Sequence, residues 1–269
     1  MTTGLHAQIS ELQRGRLRPV TPRRPHSRPA PTRLHAALGA RIAATAHGNL
    51  LVWEKSVSEL WSQGAAIARS LWAALEGAGA RSQASSDIEP LLEASPSDIA
   101  WLDIETAGFV GRPVFLVGMM RPRDEDLVIT QLLAADYSQE RALLACCAQA
   151  LAESQVLVTF NGKCFDLPML RDRMAYHRVR DAVKLDHVDV LHLARRRWRA
   201  RLPDCRLQTL ERHLCRRMRS GDIPSALIPE RYHEFVRTQE ASLIAPVMRH
   251  NRLDLLTMAE LSGMLLGAR

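Results

Sequence analysis

The sequence predicts an α/β fold, a mixed β-sheet flanked by helices and preceded by a disordered basic arm. Three observations predict it. Between Ile99 and Leu133 three apolar, β-rich runs follow one another, separated by turn residues. Beyond them, stretches with helical spacing alternate with short β-rich runs. Residues 1–50 carry eight arginines, no lysine and one acid, Glu11, a net charge of +7.

The elements follow in order. Residues 1–35 hold prolines at 19, 22, 25, 29 and 31 among arginines and show no apolar periodicity, so they are expected to be disordered. Residues 36–97 read as an N-terminal extension and linker. Within it, LLVWEKSV (50–57) suits a short strand, Leu60–Leu75 has helical spacing, and Ala78–Ser97 has a linker's composition. Residues 98–269 form the main domain. Ile99–Ile104, Val114–Met120 and Leu127–Leu133 predict an antiparallel meander, with turns at Gly108–Pro113 and Arg121–Asp126. Gln139–Ala152 predicts a helix, Val156–Phe160 a strand, Phe165–Tyr176 a helix, and His187–Val190 a strand end before a helix through Arg199. Residues 239–266 predict one or two helices.

Composition narrows the functional classes. Apolar residues make up 46% of the chain, enough for a sizeable core. No apolar run reaches the length of a membrane span. The Arg- and Pro-rich start lacks the apolar stretch of a secretory signal, and fits either a basic tail or a transit peptide. The whole chain also carries +7, so the body beyond residue 50 is neutral and the arm basic. An acidic partner is expected for the arm, nucleic acid first, against the plainer reading of a solubilising tail. Cys146, Cys147, Cys164, Cys205 and Cys215 form no C-x-x-C pair and no zinc spacing, which suits reduced thiols and a cytoplasmic protein.

Four carboxylates carry the chemistry. Asp103 and Glu105, in LDIET, are i and i+2 on a strand and project from the same face. Charges so close repel, and a divalent cation relieves that cost. Asp166, in FNGKCFD, follows a strand and an Asn161–Gly162 turn and opens a helix, a usual place for functional groups in α/β sheets. Taken alone it reads equally as a helix cap. Asp254 and His250 are i and i+4 on a helix and share a face. His250 is the candidate general base, since imidazole titrates near neutral pH. Together these acids suit two divalent ions, Mg²⁺ or Mn²⁺, which activate water and stabilise a leaving oxygen. Asn161 and Lys163 are polar groups on the same turn that could contact substrate, and Lys163 reads equally as a solvated surface lysine.

At these residues the chain resembles the DEDD-type 3′–5′ exonuclease superfamily, whose fold is ribonuclease-H-like. LDIET is similar to its first motif, Asn161 through Asp166 to its second, and His250-x-x-x-Asp254 to its third. NGKCFD, HVDVLH, LQTLE, GDIPSALIPE and HNRLDLL match, in order, the group of predicted exonucleases with the YprB-type domain, over about residues 98–266. The resemblance implies metal binding by Asp103, Glu105, Asp166 and Asp254, with His250 as base and Thr106 at the substrate end. His250 stands at the spacing of the superfamily's tyrosine variety, and Ala107 replaces the second Thr of its first motif.

Other features admit two readings. Asp189, flanked by His187 and His192, looks like a metal cluster but is expected to be structural. The run Arg195, Arg196, Arg197, Arg199 and Arg201 is either a phosphate-gripping face or a solvated helix. Trp198, inside that run, is a candidate for base stacking or for the core. The predicted function is a metal-dependent nuclease, a 3′–5′ exonuclease acting on the 3′ end of single-stranded DNA or RNA. The alternatives are a catalytically inactive nucleic-acid-binding module of the same fold, and a scaffolding protein that works through its arm.

Overall fold

The computed structural model describes residues 31–77, 87–109, 111–180 and 185–267. The chain enters the sheet at an edge. After α1 (Pro31–Leu38), β1 (Arg41–Thr45) and β2 (Gly48–Ser56) form an antiparallel hairpin. Three helices follow: α2 (Val57–Leu60), α3 (Gly64–Glu76) and α4 (Glu89–Glu93). The meander is β3 (Ile99–Thr106), β4 (Val114–Arg123) and β5 (Asp126–Leu133). Then come α5 (Glu140–Leu151), β6 (Val156–Thr159), α6 (Asp166–Tyr176) and β7 (Asp186–Asp189). The chain closes with α7 (Val190–Trp198), α8 (Leu207–His213), α9 (Ile228–Thr238) and α10 (Ala241–Gly267).

Among the described residues the strands make one seven-stranded sheet in the order β1-β2-β5-β4-β3-β6-β7. It is mixed, because β3 is antiparallel to β4 and parallel to β6. The predicted meander is present, and β6 and β7 extend it in parallel. The two-residue connection from β4 to β5 uses Asp124 and Glu125, both at positive φ (53° and 62°), the backbone that a tight hairpin turn demands.

Burial explains the placement of β3. Ile99 to Leu102 are fully buried, as befits a strand covered on both faces. Residues 101, 103 and 105 share a face, and Trp101 Nε1 on that face donates to Ser262 Oγ of α10 (3.1 Å). The long helix therefore lies over the acidic side of β3. Phe115 of β4 stacks on Tyr232 of α9 with ring centroids 3.8 Å apart, and the Tyr232 hydroxyl donates to the carbonyl of Ala134 (3.1 Å).

Some expectations need correction. Residues 31–38 are helical, with Leu34 buried, so the last part of the predicted arm is ordered, while residues 1–30 lie outside the described residues. In the expected linker, 78–86 lie outside the described residues, but Glu89–Glu93 is helical because Ile88 and Leu91 have apolar surface to bury. The extension also joins the sheet, since β2 pairs with β5 over six residues. No helix among the described residues is long and apolar enough to cross a membrane.

A buried ion pair ties α5, α6 and β4 together. Glu140 accepts from Arg173 Nε (2.8 Å) and Nη2 (2.6 Å) and from the amide of Val114 (2.9 Å), and His177 Nε2 lies 2.8 Å away. Burial alone would raise the pKa of Glu140, but Arg173, His177 and the amide outweigh it and hold the carboxyl below its ordinary range. That stabilisation is present above the unfolded pKa and is lost as pH falls through the folded one. Arg173→Met should cost about 3 kcal/mol at neutral pH, since it strands a buried charge. Urea unfolding checks this, and the deficit should shrink in acid as Glu140 is protonated.

Candidate active site

The site forms where three segments meet at the ends of β3 and β6. Asp103 and Glu105 stand half-buried on the face of β3 turned to α10. The ladder between β3 and β6 runs only to Trp101↔Val158. Further along β3, the amide of Ile104 donates to Asp166 Oδ1 instead (3.2 Å). Asp166 is buried at the first position of α6. Asp254 projects from the middle of α10, one turn after His250.

The turn before Asp166 is built tightly. Asn161 holds a positive φ of 64°. A side chain on Gly162 would collide with Thr159 Oγ1 at 2.1 Å, so glycine is required there. Asp189 secures the turn from β7: its carboxylate accepts the amides of Asn161 (2.8 Å), Lys163 (3.1 Å) and Leu191 (3.1 Å). All three bonds are structural, in line with the role expected for it. Its neighbour His187 bonds Thr159 Oγ1 (2.8 Å), and burial pushes its pKa down to about 4.

Electrostatics mark the four acids. Burial raises Asp103 well above the usual range, and Asp254, Glu105 and Asp166 add to it. Glu105 is raised likewise, by burial and then by Asp254, Asp166 and Asp222. Asp166 is pushed up to about 7, mainly by burial. Asp254 is raised by burial even though His250 and Arg219 pull it down. The donor set is all hard oxygen, and only Asp254 has a cation beside it, so the residues fit Mg²⁺ or Mn²⁺ in their chemistry. Among the described residues, however, no three His, Cys, Asp or Glu side chains converge as a ready cage for one ion.

Several partners were not visible as functional in the sequence. Asn251 donates to Asp103 Oδ2 (2.7 Å) and to its carbonyl (3.0 Å), while its own Oδ1 accepts from Gln131 Nε2 (2.7 Å). Asp222 Oδ2 lies 3.0 Å from His250 Nδ1. His250 Nε2 faces Asp254 Oδ2 (3.4 Å) and Ser225 Oγ (3.4 Å), so Asp222 fixes the orientation of the ring over Asp254. Arg219 Nη2 donates to Asp254 Oδ1 (2.5 Å). The one signal for Asp222 was its place in GDIPSALIPE; Arg219 had none beyond standing three residues before it.

The remaining predicted groups lie around the acids, on the surface or in the core. The Thr106 hydroxyl donates to the carbonyl of Gly108 (2.6 Å), so its proton braces the turn instead of facing outward. Lys163 is exposed, and Asn161 lines a cavity of about 500 Å³ together with Asp103 and Asp254. Trp198 is buried and belongs to the core. Of the arginine run, Arg195 lines that same cavity, whereas Arg196 pairs with Asp87 (2.5 Å). A second cleft of about 710 Å³ opens on His250 and Asp254 and is walled by Arg206, Arg212 and His213.

A mixed sheet whose central strand carries paired acids beneath a long C-terminal helix is an architecture with known relatives. A family model of the RNase_H superfamily matches residues 100–266, and the chain belongs to that superfamily. It is similar to the uncharacterized protein YprB of Bacillus subtilis (strain 168), 31% identical over 172 residues that cover 61% of this chain and 41% of YprB. The chain thus spans less than half the length of that relative. A solved family B DNA polymerase from the hyperthermophilic archaeon Pyrobaculum calidifontis shares the fold, with a TM-score of 0.52 and 18% identity over 64% of this chain and 25% of the polymerase.

The raised pKa of Asp166 has a consequence for stability. The folded, metal-free chain keeps this proton up to about pH 7, whereas the ordinary value is 3.8. Between those values the folded state holds more protons than the unfolded one, so stability falls as pH rises through the window. In EDTA the melting temperature should drop between about pH 4 and about pH 7, and Asp166→Asn should reduce that drop. An unchanged slope in the variant would contradict the assignment.

Proposed function

We propose that the protein is a metal-dependent nuclease, a 3′–5′ exonuclease on single-stranded DNA or RNA, working in the cytoplasm with two divalent ions. One observation carries the reading. Four carboxylates from β3, α6 and α10 lie near enough to raise one another's pKa, and two of them, Asp103 and Asp254, line the cavities beside them.

Asp103, Glu105, Asp166 and Asp254 would hold Mg²⁺ or Mn²⁺, which when bound supply charge to activate water and to steady a leaving oxygen. The protein's residues supply the rest. Asp166 is held in place by the amide of Ile104, and Asp103 by Asn251. His250, oriented by Asp222, offers Nε2 as the acceptor for a water proton at the edge of the larger cleft. Arg206, Arg212 and His213 line that cleft with exposed cationic and polar groups, suited to the phosphates of the incoming strand. The smaller cavity, with Asp103, Asn161 and Arg195, suits the terminal nucleotide. The pairing of Arg219 with Asp254 favours a second reading, a module that binds nucleic acid without cutting it.

Digestion of end-labelled single-stranded DNA and RNA with Mn²⁺, Mg²⁺ or EDTA separates the two. A metal-dependent ladder from the 3′ end, abolished by Asp166→Asn or Asp254→Asn in folded protein, is the expected result. Binding without cleavage under any metal would support the second reading. The cleft wall makes its own prediction. Arg206→Ala and Arg212→Ala, assayed for oligonucleotide binding on the Asp166→Asn background, should each weaken affinity and lower the salt slope by about one. Slopes equal to that of the Asp166→Asn parent would place the strand elsewhere.

A further inference from the structure

Arg219 is the most heavily engaged cation near the acids. Its side chain is 5% exposed and reaches three carboxylates at once. Nε donates to Glu211 Oε2 (2.5 Å), Nη1 to Asp222 Oδ2 (3.1 Å) and Nη2 to Asp254 Oδ1 (2.5 Å). The other oxygen of Asp254 faces His250 Nε2 at 3.4 Å. Oδ1 of the fourth acid is therefore already taken by a protein cation, whereas Asp103, Glu105 and Asp166 make no ion pair among the described residues. On the metal-dependent reading above, we infer that Arg219 occupies a cation's place at Asp254, and that a divalent ion binds there only by displacing the Nη2 contact.

Three features support exchange over a fixed structural pair. Displacement need not expel the guanidinium, because Glu211 and Asp222 hold its other two nitrogens. Glu211 is itself held by Arg217 Nη1 (3.1 Å), which is anchored to Glu260 and Thr257 of α10. The tether thus survives loss of the third contact. Asp222 also has a buried oxygen, Oδ1, with no hydrogen-bond partner, so a carboxylate with spare acceptor capacity lies beside the exchanging group. Finally, the acids do not form a ready cage. The guanidinium keeps Asp254 paired to protein, so the fourth carboxylate is not free to join one.

The test counts Mn²⁺ on the full-length chain without nucleic acid, by electron paramagnetic resonance of free Mn²⁺. Wild type should bind one ion tightly and a second at least about tenfold more weakly. Arg219→Gln, shown to be folded by circular dichroism, should strengthen the second ion by about tenfold and leave the first unchanged. Two equal sites in wild type, or a folded variant whose second site matches wild type, would overturn the inference while leaving the metal-dependent reading intact. No Mn²⁺ on either protein would overturn both. Should Arg219→Gln fail to fold, Mg²⁺ titration of wild type followed by arginine side-chain NMR reads the same exchange. The Arg219 Nε–H signal should shift as the second ion binds, and a signal unmoved at saturation overturns the inference.

Discussion

The amide of Asn251 is the contact on which the site's geometry depends. It is fully buried between sheet and helix, and its hydrogen bonds admit one orientation. Nδ2 must face Asp103, and Oδ1 must face Gln131 Nε2, which also donates to the carbonyl of Met248 (2.8 Å). A buried amide left half-satisfied costs on the order of 1–3 kcal/mol, so the network fixes the rotation and register of α10 on the sheet. Gly118 of β4 makes room for it, since a side chain there would sit 2.0 Å from Asn251 Oδ1. The chain of contacts continues outward. Arg252 donates to Gln131 Oε1 (2.9 Å) and lies over the ring of Trp53 on β2, 4.4 Å from its centroid. The N-terminal hairpin thus braces the helix that carries His250 and Asp254.

Buried acids occur here in two kinds, and the contrast is informative. Glu140 is surrounded by donors, and its pKa is lowered. It behaves as a structural group whose burial is offset in place. Asp103, Glu105, Asp166 and Asp254 are raised, by burial first. A fold that needed them only for stability would replace them with apolar residues at little cost. Four under-compensated carboxylates in one place accord with the metal-dependent function proposed above. Arg219 and His250 offset part of the charge at Asp254 alone.

The sheet was legible where burial shaped the sequence. β3, β4 and β5 are buried enough to read as apolar runs, and the Asn161–Gly162 turn announced the strand-to-helix junction. β1 escaped notice because its residues are largely exposed at the sheet edge, so RIAAT has no apolar alternation. The four acids were legible because each sits at a fixed position in a regular element. Their partners were not. Arg219 and Asp222 lie in an irregular stretch between α8 and α9, where no periodicity shows which way a side chain turns. Asn251 sits next to His250 in sequence, yet its meaning depends on Gln131, 120 positions away. Trp198 read two ways because a tryptophan among arginines suits a surface or an amphipathic helix equally; α7 buries it and exposes Arg195 and Arg197.

One stretch of chain connects charge and access. Between Arg206 and Ser225 lie the basic wall of the larger cleft, the Glu211 tether, Arg219 and the Asp222 that orients His250. Leu210 and Ile223 of this stretch join the core, and two ion pairs add to its packing against α10, from Arg217 to Glu260 and from Arg219 to Asp254. Such contacts respond to charge in a way that an apolar seam does not. A polyanion on Arg206 and Arg212 and a cation on Asp254 would therefore act on the same segment from opposite sides. Each changes the electrostatic balance that holds Arg219 where it is. On the function proposed above, coupling between a bound strand and a cation would need no hinge and no distant switch, only the exchange of partners around one guanidinium.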